Sequence, residues 1–148
     1  MPLSTARVGR TVAGVLGRHT LATALTAVAL RVLRPELDGG WFRVRPGERE
    51  LHRRLGVRHY RRLLRAVAWD RVVTRWRSFD GTRAGLASLD RHTRLSEATH
   101  LGGAVAGTLL VVRARRGGAG AVLLGLAIHL HPVVLQRSLR ARIHAVRR

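Results

Sequence analysis

The chain has 148 residues, enough for one domain, and 28 basic against eight acidic residues give it a formal net charge of +20. Cysteine is absent, which excludes disulfides and thiolate chemistry. Aromatic residues make up only 4% of a chain that is 46% apolar, which is thin for a compact soluble core. Three segments, 11–33, 101–112 and 119–135, hold much of the apolar content. This layout predicts an all-α integral membrane protein with a basic, polar middle over 42–96.

The first apolar segment, residues 11–33, is long enough to span a bilayer, for which about 20 mostly apolar residues are needed. Two arginines and a histidine interrupt it, so we expect a marginal span. A cleaved signal peptide is the alternative, because arginines at 7 and 10 precede the apolar run and the AVA sequence at 27–29 is typical of a cleavage site. Arg31 and Arg34 just beyond that site favour an uncleaved anchor helix, which Pro35 ends.

The polar middle, residues 42–96, has the spacing of amphipathic helices. Before it, residues 35–46 contain two prolines and two glycines and predict a loop, in which Trp41 could lie at the lipid headgroup level. From residue 47 to about 77 the apolar spacing is helical. Residues 43–83 contain thirteen arginines but only four acidic residues. We expect this basic region either to be a solvated face or to lie on an anionic leaflet.

The last two apolar segments predict an antiparallel helical hairpin over residues 97–136. After a loop or weak helix at 78–89 the chain becomes helical, and the basic turn ARRGGAG at 114–120 joins the two segments. Pro132 is expected to break the second helix, and residues 137–148 form a basic tail. Because the apolar runs are short, the hairpin either spans with snorkelling ends or is re-entrant. The whole chain is expected to form a single membrane domain.

Arginine counts predict the orientation of this hairpin. The turn carries three arginines, whereas the opposite end carries seven, namely Arg91, Arg94, Arg137, Arg140, Arg142, Arg147 and Arg148. The positive-inside rule then places the polar region and the C-terminus in the cytoplasm of a multi-pass cell-membrane protein.

Glu97 and His100 lie one helical turn apart at the head of the second apolar segment, so they share a helix face. The imidazole could act as the base that takes a hydroxyl proton during acyl transfer, with the carboxylate fixing its tautomer. Alternatively, both side chains stand in interfacial water, with Ser96 capping the helix and Glu97 meeting its positive end.

A metal site is a third interpretation of this pair, since the spacing Glu-x-x-His occurs in di-metal helical bundles. That site needs further carboxylates, which the neighbouring helices lack, so no bound metal or cofactor is expected. His129 and His131 lie on opposite faces of the last helix, and we expect one of them in the hairpin interior, where it packs near His100.

Several of these motifs together resemble a known family. The sequences TR at 93–94 and SE at 96–97, then His100, an apolar helix pair and the closing QRSLRAR at 136–142 resemble small bacterial membrane proteins of the glycosyl-4,4'-diaponeurosporenoate acyltransferase family. The resemblance covers about residues 45–143. It implies that Glu97 and His100 are catalytic. It also implies a substrate-binding set in the closing motif, namely Gln136, Arg137, Arg140 and Arg142.

The resemblance further implies transfer of a fatty acyl group to a sugar hydroxyl of a glycosylated carotenoid or related glycolipid. The acyl donor is expected to be acyl-coenzyme A or acyl carrier protein, with its phosphates held by the closing arginines, which also anchor to anionic lipid. Expected partners are membrane lipids, the lipid-linked sugar substrate and other pigment-biosynthesis enzymes. The resemblance implies a divergent member, because the sequence departs from the family pattern at His92, Leu101, His129, Ser138 and Leu139.

Two other classes of function stay open beside acyl transfer. A non-enzymatic membrane scaffold, or a decayed acyltransferase homologue, has the same apolar segments. A nucleic-acid binder is compatible with a charge of +20. No recognition motif or stacking platform supports nucleic-acid binding, and the charge is divided among apolar segments, so we expect no nucleic-acid partner.

Overall fold

The computed structural model describes residues 5–69, 71–72, 79, 81–114 and 118–147, with side chains from Val8 onward. Throughout these residues the regular structure is helical, without strands, which confirms the predicted all-α fold. Three helices are long and apolar enough to cross a membrane, namely Val8–Leu33, Leu86–Arg113 and Ala119–Arg147. The three apolar segments of the sequence therefore correspond to three candidate spans.

The described helices follow the chain in simple order. They are α1 (Thr5–Leu33), a short 3-10 helix (Gly40–Phe42), α2 (Glu48–Arg54), α3 (Val57–Ala66), α4 (Leu86–Arg113) and α5 (Ala119–Arg147). The continuous helix expected from residue 47 is instead two helices, because Gly56 adopts a left-handed conformation (φ 70°) that interrupts the helical path. Part of that expected helix, residues 70 and 73–77, lies outside the described residues, as do residues 115–117 of the predicted basic turn.

The predicted break at Pro132 is wrong, because α5 continues through this residue to Arg147. A proline inside a helix lacks one N–H and so removes one hydrogen bond, to the carbonyl four residues earlier. The helix has 29 residues, and its other backbone bonds hold it on both sides of the proline. The expected basic tail is consequently helical as far as Arg147.

The chain divides into two compact units, and the division runs through both α4 and α5. The first unit consists of residues 1–35 and 98–130, and the second consists of residues 36–97 and 131–148. Each of these two helices therefore contributes one end to each unit.

In the first unit, α1 packs antiparallel to α4 through small residues. Its core joins Val15 of α1, Val111 of α4 and Ala121 of α5. A side chain added at any of several α4 glycines would overlap an α1 side chain, in the pairs Gly102 with Thr26, Gly103 with Thr23 and Gly107 with His19. Such close approach is typical of helix pairs in membranes, where small residues let backbones come together.

In the second unit, the 3-10 helix, α2 and α3 accompany the first part of α4 and the last part of α5. Its buried apolar residues include Val57, Leu89, Ala141 and Ile143. The arginines of α3 remain exposed, whereas Val57 at its start is buried, so α3 has one apolar side and one basic side. This unit holds the closing arginines of α5 and positions Glu97.

Candidate functional site

Glu97 lies at the centre of a buried ion-pair cluster in the second unit. Its side chain is 0% exposed. One carboxylate oxygen, Oε1, accepts hydrogen bonds from Trp41 Nε1 at 2.9 Å and from Arg137 Nη1 at 2.9 Å. The other oxygen, Oε2, lies 2.7 Å from Nη2 of Arg140. We call these four residues the Glu97 cluster.

The two arginines of the Glu97 cluster use their remaining donors inside the protein as well. Arg137 pairs with Glu48 at 2.5 Å and donates to the carbonyl of Trp41 at 3.0 Å. Arg140 donates to Thr93 Oγ1 at 3.1 Å and to the carbonyl of Phe42 at 3.1 Å. A buried guanidinium requires such compensation, because its desolvation is costly. Both arginines therefore tie α5 to the loop around the 3-10 helix.

A second carboxylate on α4, Asp90, lies about two helical turns before Glu97 and extends these contacts along the helix. It accepts from Arg94 at 2.7 Å and lies 3.3 Å from His144 Nε2. Arg94 in turn pairs with Asp38 and donates to the carbonyl of Leu37 at 3.1 Å. The start of the loop is thus fixed to α4 by charge-assisted hydrogen bonds, which are the stronger kind.

The first unit brings together three histidines, one from each of its helices. Nδ1 of His19 on α1 lies 3.0 Å from Nε2 of His129 on α5. Nδ1 of the same His129 lies 3.4 Å from Nδ1 of His100 on α4. His19 and His129 are buried, whereas His100 is half-buried. We call this arrangement the histidine chain.

Two glycines make room for the inner end of the histidine chain. A Cβ atom added to Gly107 of α4 or to Gly125 of α5 would overlap the imidazole of His19. Within the part of the chain that the structure describes, Nε2 of His19 has no hydrogen-bond partner, and the ring's polar side-chain contact is with His129. The backbone at the two glycines encloses the ring.

The geometry of the histidine chain differs from that of a metal site. His129 directs one ring nitrogen toward His19 and the other toward His100, so the nitrogens of the three rings do not converge on one point. Within the described residues, no group of three or more histidines, cysteines and carboxylates is arranged to hold a metal ion. The arrangement instead suits a chain of hydrogen bonds, in which the tautomer of one ring fixes the tautomer of the next.

The structure places the two predicted catalytic residues on α4, but in different units. The contacts of Glu97 are with Trp41, Arg137 and Arg140, whereas the polar contact of His100 is with His129. The interfacial alternative is wrong in two respects. Glu97 is shielded from solvent, and α4 begins at Leu86, so Ser96 lies inside the helix and does not cap it.

The predicted substrate-binding residues are also divided by their environment. Gln136 and Arg140 are buried, and Arg137 is largely so, with 14% of its side chain exposed. Arg142 is exposed. Of the four, Arg142 is the one best placed to meet a ligand from solvent.

Sequence reasoning missed several members of these clusters. His19 interrupts the first apolar span, and an ionisable residue in an apolar helix is itself a functional signal. Trp41 was expected at the headgroup level, yet its indole donates to Glu97. Glu48 is one of the four acids of the basic middle region, and nothing in the sequence distinguishes it from the others. No sequence pattern links it to Arg137, which is 89 residues away.

Comparison with known proteins identifies the family. A model of the glycosyl-4,4'-diaponeurosporenoate acyltransferase family matches residues 38–148. The chain belongs to this family. The matched residues include the whole Glu97 cluster, His100 and His129, whereas His19 lies before them. No curated protein and no solved structure matches the chain. The predicted resemblance is thereby confirmed, and with it an acyltransferase-like role.

Proposed function

We propose that the protein transfers a fatty acyl group to a sugar hydroxyl of a glycosylated carotenoid or related glycolipid, with His100 as the base. The observation that carries this proposal is the histidine chain. It presents a half-buried imidazole among apolar helices, with its Nδ1 next to His129. Nδ1 of His100 makes the ring-to-ring contact with His129, so we assign the other ring nitrogen, Nε2, to the substrate.

The proposed step follows from the tautomers of the histidine chain. When His100 Nδ1–H donates to Nδ1 of His129, Nε2 of His100 carries a lone pair. That lone pair takes the sugar hydroxyl proton while the oxygen attacks the carbonyl carbon of an acyl thioester. The new C–O bond forms and the C–S bond breaks. The imidazolium then returns its proton to the departing thiolate, so the base is regenerated.

His129 and His19 act in this proposal as positioning residues. In the same tautomeric arrangement, Nε2–H of His129 donates to Nδ1 of His19. The enclosed ring of His19 therefore fixes the orientation of His129, and His129 fixes the tautomer of His100. A neutral imidazole here takes the place of the carboxylate in a nucleophile, base and orienting-group array.

The orienting role of Glu97 toward His100 stays a prediction from the sequence. Both carboxylate oxygens of Glu97 are engaged with Trp41, Arg137 and Arg140, and these contacts favour a role in holding the second unit together. We accordingly expect replacement of Glu97 to affect folding before it affects chemistry.

The membrane location is supported by the exposed apolar surface of the first unit. Large aliphatic side chains on all three of its helices face outward, among them Leu25, Val28, Val105, Leu109 and Leu123. Such a surface fits lipid tails and the apolar part of a glycolipid acceptor. We propose a cell-membrane protein that retains α1 as an anchor, because Val15 and His19 of α1 are buried in the first unit.

For the orientation, we propose that the polar region and the C-terminus are cytoplasmic. A cysteine introduced at the exposed Ser88 should react with a membrane-impermeant maleimide only after lysis. A cysteine at Gly118, in the turn between α4 and α5, is the matched control and should react in intact cells. The reverse labelling pattern contradicts the proposed orientation. Ser78, another serine of the polar region, lies outside the described residues.

The proposed function is tested in cells that make the glycosylated carotenoid acceptor. Glycolipids are extracted from cells carrying wild-type protein, His100→Ala or the control His131→Ala, and are weighed by mass spectrometry. We expect the acylated species with wild-type protein and the control, and its near loss with His100→Ala, at equal amounts of protein in the membrane. An unchanged acylated species in the His100→Ala cells would falsify the proposed role of His100.

A non-enzymatic scaffold is the second candidate. It is favoured by the observation that Glu97, Arg137 and Arg140, three of the predicted motif residues, are committed to internal contacts. A scaffold predicts that wild-type protein itself yields no acylated glycolipid when acceptor and donor are both present. The same mass-spectrometric comparison therefore separates the two candidates.

A further inference from the structure

An open cavity of about 360 Å³ lies in the second unit. Its volume is within the range of about 300–1,000 Å³ that is common for small-molecule sites. α2 and α5 form its walls, which are lined by Arg49, His52, Ser138, Arg142, Ala145 and Val146. The polar lining residues are distinct from the Glu97 cluster.

Two arginines, Arg49 and Arg142, line the cavity. Among the described residues, neither Arg49 nor Arg142 forms an ion pair with a carboxylate. The nearby acids on α2 are already used, since Glu48 pairs with Arg137 and Glu50 pairs with two exposed arginines. Two guanidinium groups on one cavity attract an anion.

One of the two guanidinium groups is also held in place. Nη2 of Arg49 donates to the carbonyl of Ala141 on α5 at 3.3 Å. This contact connects α2 to α5 at the cavity wall and limits the rotamers of Arg49. An anion that enters meets a partly fixed donor, which lowers the entropic cost of binding.

His52 supplies a buried polar atom at the same cavity. The side chain is 5% exposed, and its Nδ1 has no hydrogen-bond partner among the described residues. A buried polar atom normally has a partner, so its absence points to a ligand or a bound water molecule. Burial lowers the pKa of His52, which keeps the ring neutral at pH 7 and able to donate from one nitrogen. The hydroxyl of Ser138 adds a further donor.

We propose that this cavity binds a phosphate group, which Arg49 and Arg142 contact through their guanidinium groups and Ser138 and His52 through hydrogen bonds. A phosphate offers several acceptor oxygens in different directions, which suits donors from two helices, and guanidinium groups bind it bidentately. In the proposed function, on which this part rests, the phosphate belongs to the pantetheine-linked acyl donor. The sequence predicts that the closing arginines hold the phosphates of the acyl donor. In this proposal Arg142 keeps that role, whereas Arg49 and Ser138 replace Arg137 and Arg140.

The phosphate has two possible sources, an acyl donor or an anionic phospholipid headgroup, and one binding experiment distinguishes them. Full-length protein in neutral detergent is titrated with coenzyme A, with pantetheine, which lacks phosphate, and with inorganic phosphate. A further titration uses phosphatidylglycerol in mixed micelles. We expect coenzyme A to bind, inorganic phosphate to compete with it, and pantetheine to bind much more weakly. Binding of phosphatidylglycerol alone would keep the phosphate site and overturn its assignment to the acyl donor.

Variants connect this binding to the cavity. Arg142→Gln and Arg49→Gln should each weaken coenzyme A binding about tenfold or more, as expected for the loss of a charged hydrogen-bond donor. Ser138→Ala should weaken it less. Arg54→Gln is the matched control, because this exposed arginine lies on α2 outside the cavity, and it should bind as wild type does. Circular dichroism melting curves verify that each variant is folded.

Equal binding by wild-type protein, Arg142→Gln and Arg49→Gln overturns the proposal, as does the absence of any phosphate-dependent binding. The experiment needs no turnover and can be repeated on His100→Ala protein. If the proposed function fails while phosphate binding persists, the cavity is a phosphate site independent of acyl transfer. If the cavity variants bind normally while His100→Ala abolishes acylation, this inference alone fails.

Discussion

The two units of the molecule bury polar side chains in different ways. In the described part of the first unit, the buried polar residues are the neutral rings His19 and His129, each close to another ring. In the second unit, they include the charged residues Asp90, Glu97 and Arg140, which form ion pairs. In the first unit, glycines leave space for a buried histidine ring. In the second unit, buried charged side chains are compensated by side chains of opposite charge.

This difference separates two tasks. Removing a neutral ring leaves a cavity and an unpaired nitrogen, but no uncompensated charge. Removing one partner of a buried ion pair leaves a charge in a dry environment, which is far more costly. The Glu97 cluster is therefore expected to govern stability, while the histidine chain is free to govern chemistry. Each of the following changes tests one side of this comparison.

The largest stability effect is expected from Glu97→Gln. The substitution keeps the shape of the side chain but leaves Arg137 and Arg140 without their shared buried counter-charge. Breaking a buried pair in this way costs about 3–5 kcal/mol. Thermal unfolding in detergent, followed by circular dichroism, should show a marked loss of stability.

The control for that change is Glu50→Gln. Glu50 also pairs with two arginines, Arg53 and Arg54, but all three side chains are exposed. Their hydrogen bonds lower the pKa of Glu50, yet solvent screens the interaction, so little stability should be lost. Equal melting temperatures for the two variants would mean that the Glu97 cluster is no more important than a surface pair.

In the first unit, Gly107→Ala and Gly125→Ala should destabilise the protein by overpacking. The new methyl group would overlap the enclosed ring of His19. Overpacking typically costs about 1–3 kcal/mol. Gly17→Ala is the matched control on α1. A methyl group there meets open space, and the better helix propensity of alanine should stabilise by up to about 1 kcal/mol. Destabilisation by all three substitutions would argue against an enclosed His19.

A smaller, pH-dependent effect is expected from His52 in the second unit. Burial lowers its pKa in the folded protein, so below the unfolded value of about 6.5 the unfolded chain binds more protons than the folded one. Its contribution to stability is therefore complete above that pH and is lost as the pH falls through the lowered folded pKa. Unfolding at pH 7.5 and 5.5 should show a smaller difference for His52→Gln than for wild type. An identical difference contradicts the burial of His52.

The sequence predicted the helical fold because its signals are local. Apolar runs at 101–112 and 119–135 and the short connection between them define two neighbouring helices, and the helices are present. The break at Pro132 was wrong because a proline removes only one bond in a helix of this length. Gly56, which divides the middle region, acts through a positive φ that apolar spacing does not reveal.

The candidate sites were predictable only in part. Glu97, His100 and the closing arginines stand out by type and spacing, and all of them lie within the residues that the family model matches. Their partners do not stand out, since Trp41 and Glu48 contact residues 56 and 89 positions away. The packing of α5 decides which of the closing arginines are buried and which, like Arg142, are exposed. The spacing of these residues along the chain does not reveal that packing.

The central claim is that His100 performs the chemistry while the Glu97 cluster holds the fold. It is tested most directly with purified protein in proteoliposomes, supplied with an acyl thioester and a glycosylated carotenoid acid and assayed for acylated product. Since a base typically contributes about 10²–10⁴-fold in rate, His100→Ala should lower the rate by that factor and melt at nearly the wild-type temperature. A His100→Ala protein that transfers the acyl group at the wild-type rate, or a wild-type protein that transfers none, contradicts the account.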